Sequence, residues 1–203
     1  MIDISHITSK YNVNKQGYRT YNFEKINWEN SYLLLGCSQA FGEGLENDSD
    51  TISSNLENLL NKKVINLGVP GSGIDFQYYN LLTIFQQGHT PKGIFIIWPN
   101  PHRYCRIVNK KVQFFGSWSD NDYEKSFIET APVVSHFNTI AINSLCNLKS
   151  IPLVSINRWL GFVEAGPHYS EQPIDCTPDG SGHYGPKSTK RIAEELYKRY
   201  NEI

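Results

Sequence analysis

The sequence has no apolar run approaching the roughly 20 residues that a membrane-spanning helix needs, which excludes a helical membrane protein. It also lacks a dominant charge: 19 Lys and Arg stand against 20 Asp and Glu, for a net charge of −1 and a pI near 6.6. There is thus no basic footprint for a nucleic-acid partner. Cysteine is sparse, and Cys37, Cys105, Cys146 and Cys176 are scattered with no pair at metal-ligand spacing. That pattern predicts free thiols and no zinc or other metal site. The opening stretch MIDISHITSKYNVNKQGYR lacks the basic-then-apolar order of a secretory signal, so the expectation is a soluble protein, cytoplasmic by default.

What is present is ordinary for a globular chain. Hydrophobic residues make up 39% of 203, enough for one domain over 1–203 with a buried core. Short apolar runs alternate with helical patterns. SYLLLGC reads as a buried strand, then TISSNLENLLN as a helix with Ile52, Leu56, Leu59 and Leu60 on one face. KKVINLG is a second strand, GIDFQYYNLLTIFQQG a helix closed by Gly88, KGIFIIW a third strand and SIPLVSIN a later one. This alternation predicts an α/β fold, a parallel sheet of four or five strands covered on both faces. Two segments break the rhythm. Residues 104–118 read as an inserted hairpin turning near Asn109 and Lys110, followed by a helical stretch interrupted at Pro132 that resumes through Leu148. Residues 158–186 form a long loop rich in Gly, Pro, His and acids, of the kind that carries function.

Ligands of open α/β sheets bind outside the carboxyl ends of the strands. After the first strand comes Ser38. After the second comes GVPGSG, with Gly68, Gly71 and Gly73. After the third comes PNPHR with Asn100, and before the last helix DGSGH with Asp179 and His183. A hydroxyl, a glycine turn with free N–H groups, an amide and an Asp/His pair are the parts of acyl transfer: a nucleophile, its base, the base's orienter and oxyanion donors. An α/β-hydrolase orders Ser, Asp and His alike, but GCSQA lacks the final Gly of its elbow, and only about one strand can precede Ser38.

The four blocks together resemble the SGNH (GDSL-like) hydrolase superfamily over residues 31–200. Gly36-Cys37-Ser38 is similar to its Gly-Asp-Ser, with Cys37 in place of Asp; NLGVPG to its Asn-x-Gly-x-x-Gly; WPNP, in part, to its Gly-x-Asn-Asp; and DGSGHYGP to its Asp-x-x-His. The resemblance implies a three-layer α/β/α, flavodoxin-like domain and a serine esterase with no cofactor. Ser38 would be the nucleophile, His183 the base and Asp179 its orienter. The N–H groups of Ser38 and Gly71, with the side chain of Asn100, would form the oxyanion hole. Asp179 stands four residues before His183 where the pattern has three, and Asp175 is the alternative orienter. The expected substrate is a small-molecule or glycan ester. Trp98, Tyr104, Trp118, Trp159, Tyr169 and Tyr184 around the expected mouth favour an acetyl ester on a carbohydrate. A degenerate member that binds glycan or serves a structural role without catalysis is the alternative that the altered third and fourth blocks leave open.

Overall fold

Leu33 and Leu35 point to one face of the central sheet and Tyr32 and Leu34 to the other, and all four are buried. Side chains alternate across a strand, so a run apolar at every position needs cover on both sides. The computed structural model describes all residues except 110, 121, 160–164 and 167, and no side chain at 122 or 123. It contains β1 (Tyr32–Gly36), β2 (Val64–Asn66), β3 (Gly93–Ile97), the pair β4 (Tyr104–Val108) and β5 (Lys111–Phe115), and β6 (Leu153–Ile156). The helices are α1 (Ser5–Thr8), α2 (Ser38–Phe41), α3 (Ile52–Leu60), α4 (Ile74–Gln86), α5 (Asp122–Leu148) and α6 (Pro186–Tyr200).

The main sheet has four strands, all parallel, in the order β2-β1-β3-β6. Skipping the inserted antiparallel hairpin β4–β5, this is the 2-1-3-4 beginning of a flavodoxin-like sheet. Helices α4 and α5 cover the face that carries Leu33, Leu35, Ile94 and Ile96. Helices α3 and α6 cover the face of Leu34, Phe95 and Ile97. The residues before β1 join the first of these layers through Ile4, Tyr18 and Trp28.

Two details differ from the sequence reading. Helix α5 runs unbroken through Pro132 for 27 residues. One proline removes a single N–H donor, while Ile142 and Cys146 bury in the core and the Ser135 hydroxyl donates to Pro101 O at 2.8 Å. In α3, Ile52 and Leu56 are buried and Leu60 packs half-buried against the same core, but Leu59 is exposed. The hairpin turn expected at Asn109 and Lys110 and the middle of the loop 158–186 fall partly outside the described residues.

Candidate active site

The chain leaves β1 through Gly36 at φ +150, where an added Cβ would lie 2.7 Å from Ala40 Cβ and 2.8 Å from Ile97 O. Only glycine lets this turn press against β3. Cys37 follows, and Ser38 opens the four-residue α2. Two buried amides fasten the turn. Asn66 Nδ2 donates to Ala40 O at 2.8 Å, and its Oδ1 accepts the Gly68 N–H at 2.9 Å. Gln77, on α4, accepts the Gly36 N–H at 3.1 Å and donates to Ser72 Oγ at 2.8 Å. Ser72 Oγ in turn donates to Val69 O at 2.7 Å, so the ends of β1 and β2 are held as one unit. A buried amide group with every partner in place positions its neighbours firmly.

Ser38 is 7% exposed, and among the described residues its hydroxyl has one hydrogen-bond neighbour, Cys37 Sγ at 3.9 Å, a weak contact. Among the described residues, neither the Ser38 N–H nor the Gly71 N–H donates to a protein group. Ser38, Gly71 and His183 line one cleft of about 470 Å³, together with Glu43, Arg103, Phe114 and Trp118. The hairpin β4–β5 supplies one wall through Val112, Gln113 and Phe114. No hydrogen bond joins Ser38 to His183. Such bonds are often long before substrate binds.

His183 arrives on a narrow loop. The Thr177 N–H donates to His183 O at 2.9 Å and the Gly185 N–H to Asp175 O at 3.1 Å, closing the loop's base. The Tyr184 N–H donates to the side chain of Gln39, the residue after Ser38, at 3.1 Å. The imidazole has two neighbours: Nδ1 lies 2.6 Å from Ser181 Oγ, and Nε2 lies 3.5 Å from a Glu43 carboxylate oxygen.

No hydrogen bond joins Asp179 to His183. Asp179 Oδ1 accepts the Ser181 hydroxyl at 2.6 Å, the Thr177 hydroxyl at 2.7 Å and the Ser181 N–H at 3.0 Å. These bonds, the Ser181 hydroxyl first, hold its carboxyl down to about 2. Asp175 is elsewhere: it accepts the N–H groups of Ser188 at 2.8 Å and Lys187 at 3.0 Å, and so caps α6. Burial pushes its carboxyl up, but those helix N–H bonds outweigh it and hold the pKa below the ordinary value. Asn100 folds its Oδ1 onto the His102 N–H at 2.9 Å and is not among the residues lining the cleft.

Of the six aromatic residues expected at the mouth, only Trp118 lines the cleft, 46% exposed and stacked by Arg103 at 5.0 Å. Trp98, Tyr169 and Tyr184 are core residues, and Trp159 donates its indole N–H to Trp98 O at 2.9 Å. Sequence reasoning passed over Glu43, Gln77, Ser181 and Phe114. A signal for Glu43 was legible in Gly42 and Gly44: both are left-handed, at φ +83 and +81, and they turn the residue between them into the cleft.

No family model and no curated protein matches the chain. Solved structures do. A carbohydrate esterase family 2 enzyme with a carbohydrate-binding domain, from Corynascus thermopiles (Myceliophthora fergusii), superposes with a TM-score of 0.53 at 12% identity, over 86% of this chain and 66% of that one. This chain shares the fold of that enzyme. An acetyl xylan esterase from the rumen bacterium Butyrivibrio proteoclasticus matches at TM-score 0.49 and 14% identity, over 85% of this chain and 63% of that one. A protein assigned to the lipolytic G-D-S-L family, from Desulfitobacterium hafniense, matches at 0.42 and 11%, over 84% and 99%. The chain thus spans slightly less than two thirds of the two esterases. Ligands of open parallel α/β sheets bind outside the carboxyl ends of the strands, where the cleft at Ser38 lies; a second cavity, of about 500 Å³, lies beside β2. The Arg19 guanidinium in that second cavity is bonded to Asp48, Gly42 O and Leu45 O, and it braces the loop after α2. Among the described residues, no cluster of His, Cys, Asp and Glu is arranged to hold a metal ion, and no helix is long and apolar enough to cross a membrane.

Proposed function

We propose that the protein is a serine esterase that hydrolyses an acyl ester, with acetyl esters of carbohydrates as its substrate class. The observation that carries this reading is the meeting of Ser38, Gly71 and His183, from three separate loops, in one cleft at the strand ends. Ser38 Oγ attacks the ester carbon while His183 Nε2 takes its proton, and the tetrahedral oxyanion forms against the free N–H groups of Ser38 and Gly71. The imidazolium then protonates the departing alcohol, and water repeats the sequence on the acyl-enzyme. Asn100 is the proposed third oxyanion donor: with Oδ1 tied to His102, its Nδ2 is the end left to donate. Asp179 is the proposed carboxylate behind His183. Trp118 and Phe114 offer flat apolar faces of the kind sugar rings stack on, and the carbohydrate esterase that shares the fold makes carbohydrate esters the first substrates to test.

The experiment compares p-nitrophenyl acetate, long-chain p-nitrophenyl esters and acetylated xylan on wild type and Ser38→Ala. The expected result is fastest turnover of the acetyl esters and its loss in Ser38→Ala. Wild type inert on every ester but retaining glycan binding would support the non-catalytic alternative instead.

A further inference from the structure

We infer that Ser181 is a positioning residue that relays Asp179 to His183 and sets which imidazole nitrogen carries the proton. The inference rests on the esterase reading for its consequence but on hydrogen-bond geometry for its substance. Asp179, held ionised, can only accept, so the Ser181 hydroxyl hydrogen at 2.6 Å points to it. With its one hydrogen so placed, Ser181 Oγ must accept from its other partners. Three lie within reach: the His183 backbone N–H at 3.4 Å, the imidazole Nδ1 at 2.6 Å, and the Thr177 hydroxyl at 3.2 Å, whose own hydrogen is given to Asp179 at 2.7 Å, so Nδ1 is the close donor. The chain is therefore Nδ1–H to Ser181 Oγ–H to Asp179, which leaves the Nε2 lone pair open.

The relay has a competitor. Glu43 faces Nε2, and a proton there would satisfy that carboxylate while removing the base from the Ser38 side. The Glu43 contact is 3.5 Å, at the outer limit of a hydrogen bond, whereas both relay bonds are 2.6 Å. The short, charge-assisted pair wins. The arrangement also accounts for the extra residue between Asp179 and His183. Gly180 and Gly182, both left-handed with open space around Cα, curl the chain so that Ser181 sits between the two.

The test reads tautomer and turnover separately. In protein carrying ¹⁵N-histidine, above the pH at which the ring loses its extra proton, His183 is expected as the Nδ1–H form in wild type and in Ser181→Thr. It should shift to Nε2–H in Ser181→Ala, where Glu43 is the remaining acceptor. In acetyl-ester turnover, Ser181→Ala should lower kcat by ~10- to 100-fold, the scale of one hydrogen bond to a charged group, with KM unchanged and Ser181→Thr restoring the rate. Asp179→Ala should cost the same alone but add nothing in the Ser181→Ala background. An Nδ1–H form that persists in Ser181→Ala overturns the relay, as does a full Asp179→Ala loss in that background. Absence of any Ser38-dependent turnover would sink the esterase reading while the tautomer still decides the relay.

Discussion

A histidine acts as a base only through a nitrogen without a proton, so the pH dependence of the reaction is argued at the level of single residues. Asp179 is the acid most altered among the site residues. Its carboxyl titrates at about 2, below the ordinary 3.8, because Ser181 and Thr177 donate to it. A folded value below the unfolded one means that its contribution is complete above about pH 4 and is lost as pH falls through about 2. Asp179 therefore gives no limb near neutrality. The account predicts that kcat/KM rises with pH to a plateau, as a reaction that needs an unprotonated base requires. The pH–rate profile of acetyl-ester hydrolysis checks this, and a flat profile would remove His183 from its role as base.

At the scale of elements, the two aspartates of the last loop separate into different tasks. Asp175 holds the first turn of α6 through the Lys187 and Ser188 N–H groups, and Ser188 Oγ returns a bond to Asp175 O at 2.8 Å. It is a cap supplied from outside the helix. Asp175→Ala should cost about 1 kcal/mol of stability, a fall of about 2–4 °C in Tm for a chain of this size. The folded variant should keep wild-type kcat. Thermal unfolding paired with steady-state kinetics checks both halves, and a large loss of kcat with unchanged Tm would return Asp175 to the imidazole. The elements themselves were the most legible part of the sequence. Short apolar runs mark β1, β2, β3 and β6, because strands covered on both faces carry few polar residues, Asn66 in β2 and Ser155 in β6 being the exceptions. Pro132 misled because its local cost, about 3 kcal/mol in a helix interior, is offset by packing elsewhere along the helix, at Ile142 and Cys146.

At the scale of the whole molecule, the cleft joins Ile7, Ser38, Gly71, Phe114 and His183, residues spread over most of the chain. The blocks at the strand ends and before the last helix singled out Ser38, Gly71 and His183, which line one cleft. The aromatic wall was not legible, since a tryptophan reads the same whether it fills a core, as Trp98 does, or faces a cleft, as Trp118 does. The relay through Ser181 was not legible either, since it depends on how Gly180 and Gly182 turn. The central claim is that this assembly makes one serine a nucleophile. Treating the folded protein with a fluorophosphonate and mapping the adduct by peptide mass spectrometry tests it most directly. The account predicts one phosphonyl group per chain, on Ser38, strongly slowed in His183→Ala. An unlabelled protein, or labelling at another residue with Ser38 untouched, would contradict it.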